Sequence, residues 1–311
     1  VGLGIAISSA TQDITIDALR IEQIGENEKD LLSAGAAISV VGWWTGYKIG
    51  GLVSLMSADI LQKQGVENYW QISFLLLSGI ITVCSIGLLF IPEKNSEEKI
   101  RLQELADRQI IKKIGSSNNF VKILAWFCST VTNPLLSFFK KNTFKVAFAI
   151  LSFIFLFKIG EAFLGRMSLV FYKEIGFSKT DIALYSKGIG WLTTVTFTLL
   201  GGLFAVRMGL IKAMFVSGIL MASTNIMFSV LAWAGNSEVL FAFTVLIDDL
   251  AAAFATVAFV GFISALVDRN YTATQYALLA SIGTAGRTLF ASSSGMVVDW
   301  LNGNWIIFFI I

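Results

Sequence analysis

Histidine is absent from the 311 residues. That absence excludes imidazole proton relays, histidine metal ligands and the Ser-His-Asp mechanism together, and leaves carboxylates as the proton carriers. Cysteine is nearly absent. Cys84 and Cys128, the only two, make neither a disulfide framework nor a metal motif, and packing inside the protein is the expected role of both. Charged residues are scarce, at 14%, against 55% hydrophobic residues and a mean hydropathy of +0.74. A soluble domain of this length could not keep so much apolar surface from water. The apolar runs are continuous rather than ten-residue alternating strands, so the class is an all-α polytopic membrane protein and not a transmembrane barrel. No Walker A loop, dinucleotide fingerprint or zinc motif is present, so metal, cofactor and nucleic-acid partners are not expected. Energy from ATP would need a separate subunit, and a coupled ion gradient is simpler. An initiator Met and a signal peptide are also missing, and Trp305–Ile311 reads as the opening of another span, so the chain is expected to be a piece of a longer protein.

What the chain does contain is ten ionisable side chains inside stretches apolar enough to cross a membrane: Asp13, Asp17, Lys48, Lys158, Glu161, Arg166, Lys187, Asp248, Asp249 and Arg287. A charge at mid-bilayer costs on the order of 3 kcal/mol and survives only in a polar or paired setting. Charges of both signs, spread over at least six segments, imply a polar cavity between helices, and hence transport.

With about 20 apolar residues to a span, complete spans are expected near 33–56, 69–91, 145–172, 182–206, 211–233, 239–267 and 273–300, with partial ones at 1–19 and from 305. The stretch 92–144 differs. It is rich in Lys and Arg, and Leu102, Leu105, Ala106, Ile110 and Ile114 recur at helical spacing, as in a helix on the membrane surface or a solvated linker helix. It divides two helical bundles, 1–91 and 145–311. With this loop on the inside, the inside connections also carry Arg20, Lys29, Arg207, Lys212 and Arg269, whereas the outside holds only Lys63, Lys173 and Lys179; the basic bias places the loop in the cytoplasm. A loose repeat, Ala34-Gly-Ala-Ala-Ile-Ser-Val-Val-Gly42 against Gln275-Tyr-Ala-Leu-Leu-Ala-Ser-Ile-Gly283, falls at the same topological place in each half and is followed by Lys48 or Arg287, as parallel transporter repeats would be.

Asp13 and Asp17, spaced i, i+4 with Gln12 beside them, share a helix face, where mutual repulsion favours binding a proton. Asp17 with Arg20 also reads as a solvated helix end. Lys158 and Glu161 at i, i+3 neutralise each other, for structure or for function. Lys187, near an outside loop, is a candidate contact or a snorkelling base. Asp248 and Asp249 point about 100° apart, and contact with Arg287 on the next span is one way to pair them. Arg287 suits a carboxylate, because its guanidinium binds in bidentate fashion. Gly42, Gly46 and Gly50 form a small-xxx-small ridge for close helix packing. Trp43, Trp44 and Tyr47 face lipid or stack on a sugar ring.

The runs Ser9-Ala-Thr-Gln-Asp-Ile-Thr-Ile-Asp17, Ala34-Gly-Ala-Ala-Ile-Ser-Val41, Lys158-Ile-Gly-Glu-Ala-Phe163 and Ala273-Thr-Gln-Tyr-Ala-Leu-Leu279 with Gly286-Arg287 resemble the AmpG-like muropeptide permeases of the major facilitator superfamily. The run Gly201–Gly209 is similar to that superfamily's loop between its eighth and ninth spans. The resemblance implies two six-helix bundles, with the fourth to the start of the twelfth span present here. It implies a monomeric, proton-coupled importer of anhydro-muropeptides in a bacterial inner membrane, and not an enzyme. Asp13, Asp17 and Glu161 are then the proton-coupling candidates. Gln12, Lys48, Lys158, Lys187, Asp248, Asp249 and Arg287 are the substrate or gating candidates. Acetyl-CoA-like, sugar or peptide cargo on the same fold, a transporter-like receptor and a membrane enzyme are the rival readings.

Overall fold

A computed structural model describes residues 2–25, 28–92, 97–115, 118–178, 182 and 190–311. Among the described residues the chain is helical throughout. The helices are α1 (Gly2–Gln23), α2 (Lys29–Lys63), α3 (Tyr69–Leu88), α4 (Glu97–Ile114), α5 (Asn119–Phe127), a π-helical stretch (Cys128–Thr132), α6 (Asn133–Lys141), α7 (Phe144–Leu156), α8 (Ile159–Ile175), α9 (Gly190–Met208), α10 (Leu210–Ala234), α11 (Glu238–Leu266), α12 (Thr272–Trp300) and α13 (Trp305–Ile310). In hydrocarbon every backbone polar group must be satisfied within the protein, and a helix does this within one segment. Among the described residues, five helical stretches are long and apolar enough to cross a membrane: Tyr69–Leu88, Phe144–Ile175, Trp191–Met208, Leu210–Ala234 and Glu238–Leu266. The 35-residue α2 and the 29-residue α12 have the length. Both are diluted by Gly, Ser and Thr, residues suited to facing other helices rather than lipid.

The connections are short and specific. Gly209 at φ +80° turns α9 into α10 in a backbone region that other residues rarely enter. Arg20, Arg207 and Arg269 mark one end of the molecule, here called the basic end. Two apolar cores lie along the helices. One, toward the basic end, joins Ile21, Leu32, Phe138, Ile154, Met214, Ile263 and Leu279. The other, toward the opposite end, is aromatic: Tyr172 meets Phe241 at 4.6 Å between ring centroids and Phe171 meets Phe309 at 4.7 Å.

The chain's first helices dock on its later ones at the basic end. A stripe of α2 spaced three or four residues apart (Ser33, Ala37, Val40, Trp44, Lys48) turns toward α9 and α11. At Gly202 of α9 a Cβ would lie 2.4 Å from the Ala37 Cβ, so only glycine permits this approach. Gly261 of α11 sits against Leu210 in the same way, with the Ser33 backbone beside it.

Two expectations are corrected. Gly42, Gly46 and Gly50 meet nothing within 4 Å among the described residues, because the packing stripe of α2 is the adjacent face. Cys84 is exposed on the apolar surface of α3 and Cys128 is half-buried, and both are unpaired. In the α4 stripe Ala106 and Ile110 are half-buried on the side where Gln103 and Asp107 bond the π-helical stretch, whereas Leu105 and Ile114 are exposed.

Candidate functional site

Most of the described ionisable side chains of the spans fall into two groups, with Arg166 exposed on α8 apart from both. The first lies at a break. The stretch Phe144–Ile175 is two helices, α7 and α8, interrupted at Phe157 and Lys158; Phe157 keeps helical angles, and the Lys158 backbone leaves the helical region (φ −101°, ψ 21°). Two close approaches frame the break. A Cβ on Gly286 of α12 would lie 2.0 Å from the Phe155 carbonyl oxygen, and one on Gly160 would lie 2.7 Å from the Asn225 side-chain nitrogen of α10.

Lys158 at the break reaches Glu161, one turn on, at 2.7 Å, and donates to the Thr256 hydroxyl of α11 at 2.8 Å. Arg287, beside Gly286, approaches the other oxygen of Glu161 at 3.6 Å. Glu161 therefore stands between two cations from different helices. The exposures differ in a useful way: the Lys158 side chain is 12% exposed, whereas Arg287 is 49% exposed. Lys158 is held inside, and Arg287 is half exposed. One helix layer away, Asp248 of α11 accepts from the Thr224 hydroxyl of α10 at 3.0 Å. Arg287 lies on Glu161 and Asp248 on Thr224, in place of the expected contact between Arg287 and Asp248.

The second group lies where α1 and α2 meet the later helices. Arg20 forms an ion pair with Asp17 at 3.0 Å and donates to Ser264 of α11 at 3.1 Å; Ser39 of α2 donates to Asp17 at 3.3 Å. Arg269, past α11, donates to the Ile21 carbonyl. Further along α2, Lys48 donates to Thr194 of α9 at 3.0 Å and lies 5.0 Å from the centre of the Trp44 ring. Trp43 and Tyr47 stack on each other beside Trp44, on the exposed side. Gln12 and Asp13 are exposed on α1, one turn or more beyond the Asp17 contacts. Lys187 lies outside the described residues, as does Lys179.

Sequence reasoning did not single out Thr194, Thr224, Asn225, Thr256 or Ser264. Hydroxyl side chains are ordinary in spans, where they bond their own helix, as Thr256 does to Ala252. Asn225, an amide within an apolar run, was the one available signal.

The sequence pattern of the Major Facilitator Superfamily matches residues 28–291. The chain belongs to that superfamily. A putative transporter AmpG 4 of Rickettsia conorii is 32% identical over 302 residues, 97% of this chain and 66% of the relative. Its counterpart in Rickettsia felis is 30% identical over 308 residues, covering 99% and 67%. The anhydromuropeptide permease of Escherichia coli K12 is 28% identical over 297 residues, covering 95% and 53%. The chain thus spans about half to two thirds of the length of these curated relatives. The resemblance to AmpG-like permeases holds over nearly the whole chain. As a member of the superfamily it is an integral membrane protein of the transporter class, and a broken helix with ionic side chains at mid-span is the irregularity that such proteins place at cavities.

Proposed function

We propose that this chain is part of a proton-coupled importer of anhydro-muropeptides that works by alternating access in a bacterial inner membrane. The observation that carries the reading is the Lys158–Glu161–Arg287 group at the α7–α8 break. The names of the relatives supply the cargo.

In this reading Arg287 receives an anionic group of the cargo, since its guanidinium is half exposed and already aimed at a carboxylate. A carboxylate from the cargo competes with Glu161 for Arg287. Glu161, released from Arg287, is the proton-coupling carboxylate of this site, so that cargo and proton are linked through one ion pair. Asp13 is the first proton acceptor on the side of α1, with Gln12 beside it. Lys48, Asp248, Asp249 and Lys187 line or gate the route. Residues 1–91 and 145–311 act as two bundles that rock about this site, joined by a cytoplasmic 92–144, and the protein works as a monomer. The Asp17–Arg20–Ser264 contact and the Arg269–Ile21 contact hold the basic end closed and must break for it to open.

The test is uptake of labelled GlcNAc-anhydroMurNAc by the full-length protein in proteoliposomes, with unlabelled acetyl-CoA, free sugars and peptides as competitors. Competition by unlabelled anhydro-muropeptide alone is the expected result. Competition by one of the others would keep the transporter and replace its cargo. Chemically altered cargo would point to an enzyme instead.

A further inference from the structure

Residues 119–141 form one helical rod of α5, the π-helical stretch and α6, and two of its faces are already covered. On α5 the face is the one carrying Val121, Ala125 and Ser129, all buried. Here Gln103 of α4 donates to Ser129 and Thr130 at 2.8 and 3.0 Å, and Ser129 donates to Asp107. On α6 it is the face of Pro134 and Phe138. Gln275 of α12 donates to the Pro134 carbonyl at 2.9 Å, Ser137 donates to Asp268 at 3.1 Å, and Phe138 enters the core at the basic end. The rod is therefore fixed at the basic end, next to the start of the α7 span.

Its remaining surface is apolar. Phe120 is 71% exposed and Ile123 65%, with Leu124, Trp126 and Phe127 also exposed on α5 and Leu135 and Leu136 on α6. At 100° per residue the five on α5 occupy one arc of about 160°. Soluble surfaces rarely present so broad an apolar face, and one of this size marks a partner. Two features identify the partner as a lipid leaflet. First, the charges of 118–141 are all basic: Lys122, Lys140 and Lys141, without a single Asp or Glu. Second, the apolar surface runs into the membrane span. Phe139 stacks on Phe144 at 5.8 Å, and Phe144, Val146 and Phe148 of α7 are exposed in turn. On the far side α4 exposes Arg108 and Glu104, an ion pair at 3.7 Å, and Lys112, with Leu105 and Ile114 among them.

We infer that the α5–α6 rod is an interfacial anchor, lying in the headgroup–acyl boundary of the leaflet at the basic end and recruiting anionic phospholipid through Lys122, Lys140 and Lys141, with α4 as its cover toward water. An amphipathic helix of this kind gains from apolar burial and from anionic headgroups together. Docked through Pro134, Ser137 and Phe138, the anchor ties the linker between α3 and α7 to the membrane plane.

The experiment uses the full-length protein with Cys84→Ser and Cys128→Ser, nitroxide-labelled at Ile123→Cys, Phe127→Cys or Lys112→Cys, in phosphatidylcholine liposomes with and without phosphatidylglycerol. Labels at 123 and 127 are expected to be several-fold more accessible to oxygen than to a water-soluble nickel chelate, and the label at 112 the reverse. Phosphatidylglycerol should raise the oxygen preference at 123, and the Lys122→Gln/Lys140→Gln/Lys141→Gln variant should abolish that rise. High chelate access at 123 would place the rod in water. Low access to both reagents would place it against protein. Either overturns the anchor, and an unchanged response to phosphatidylglycerol overturns its lipid preference.

Discussion

At the scale of single residues, the weight of the site rests on Glu161 and the two cations that reach it. Lys158→Met leaves a largely buried carboxylate without its nearest cation, which costs on the order of 3 kcal/mol when a buried pair is broken. Thermal unfolding in detergent checks this, and Glu161→Gln added to Lys158→Met should restore most of the loss. An unshifted unfolding temperature in Lys158→Met would contradict the pairing. Arg287→Ala should weaken cargo binding at least about tenfold, ~1.4 kcal/mol, with little effect on unfolding, because its side chain is half exposed. Direct binding measured by calorimetry separates that outcome from a general loss of fold. Asp13→Asn is expected to abolish uphill uptake and leave exchange of cargo across the membrane intact; a variant that still concentrates cargo would remove Asp13 from the coupling.

Among elements, the contacts that matter are those where glycine lets two backbones meet. Gly286 of α12 touches the last turn of α7, and Gly202 of α9 touches Ala37 of α2. Gly286→Val must push α12 off Phe155 and carry Arg287 with it. We expect uptake to fall below detection and stability to drop by about 1–3 kcal/mol, the usual cost of overpacking. Wild-type uptake in this variant would mean that the break is not the site. At the basic end, Arg20→Ala removes the contact from α1 to Ser264 of α11 along with the ion pair to Asp17 one turn back on α1, and cysteines placed across that end should then cross-link less. The elements also show what the sequence made legible. Long apolar runs located the spans, and i, i+3 spacing located the Lys158–Glu161 pair, because both are local. The break at Lys158 carries no proline and was missed; a charge beside a glycine at mid-span was its only sign. The Gly42–Gly46–Gly50 ridge misled because residue spacing identifies a face but not the helix that meets it. The reach of Arg287 to Glu161 was likewise invisible, since it depends on which spans adjoin.

For the whole molecule, the contacts at the basic end join its first helices to its later ones. The α1 and α2 helices are pinned to α9, α11 and α12 there through Asp17, Arg20 and small residues. The exposed apolar belts of α2, α3 and α7 have no counterpart in water-soluble proteins and suit hydrocarbon. The central claim is that this fold moves an anhydro-muropeptide uphill at the expense of protons. The most direct measurement is the accumulation of labelled GlcNAc-anhydroMurNAc by the full-length protein in proteoliposomes with an imposed inward proton gradient. The account predicts accumulation above the outside concentration that collapses when a protonophore is added. Equilibration to the outside concentration, with or without the gradient, would contradict it.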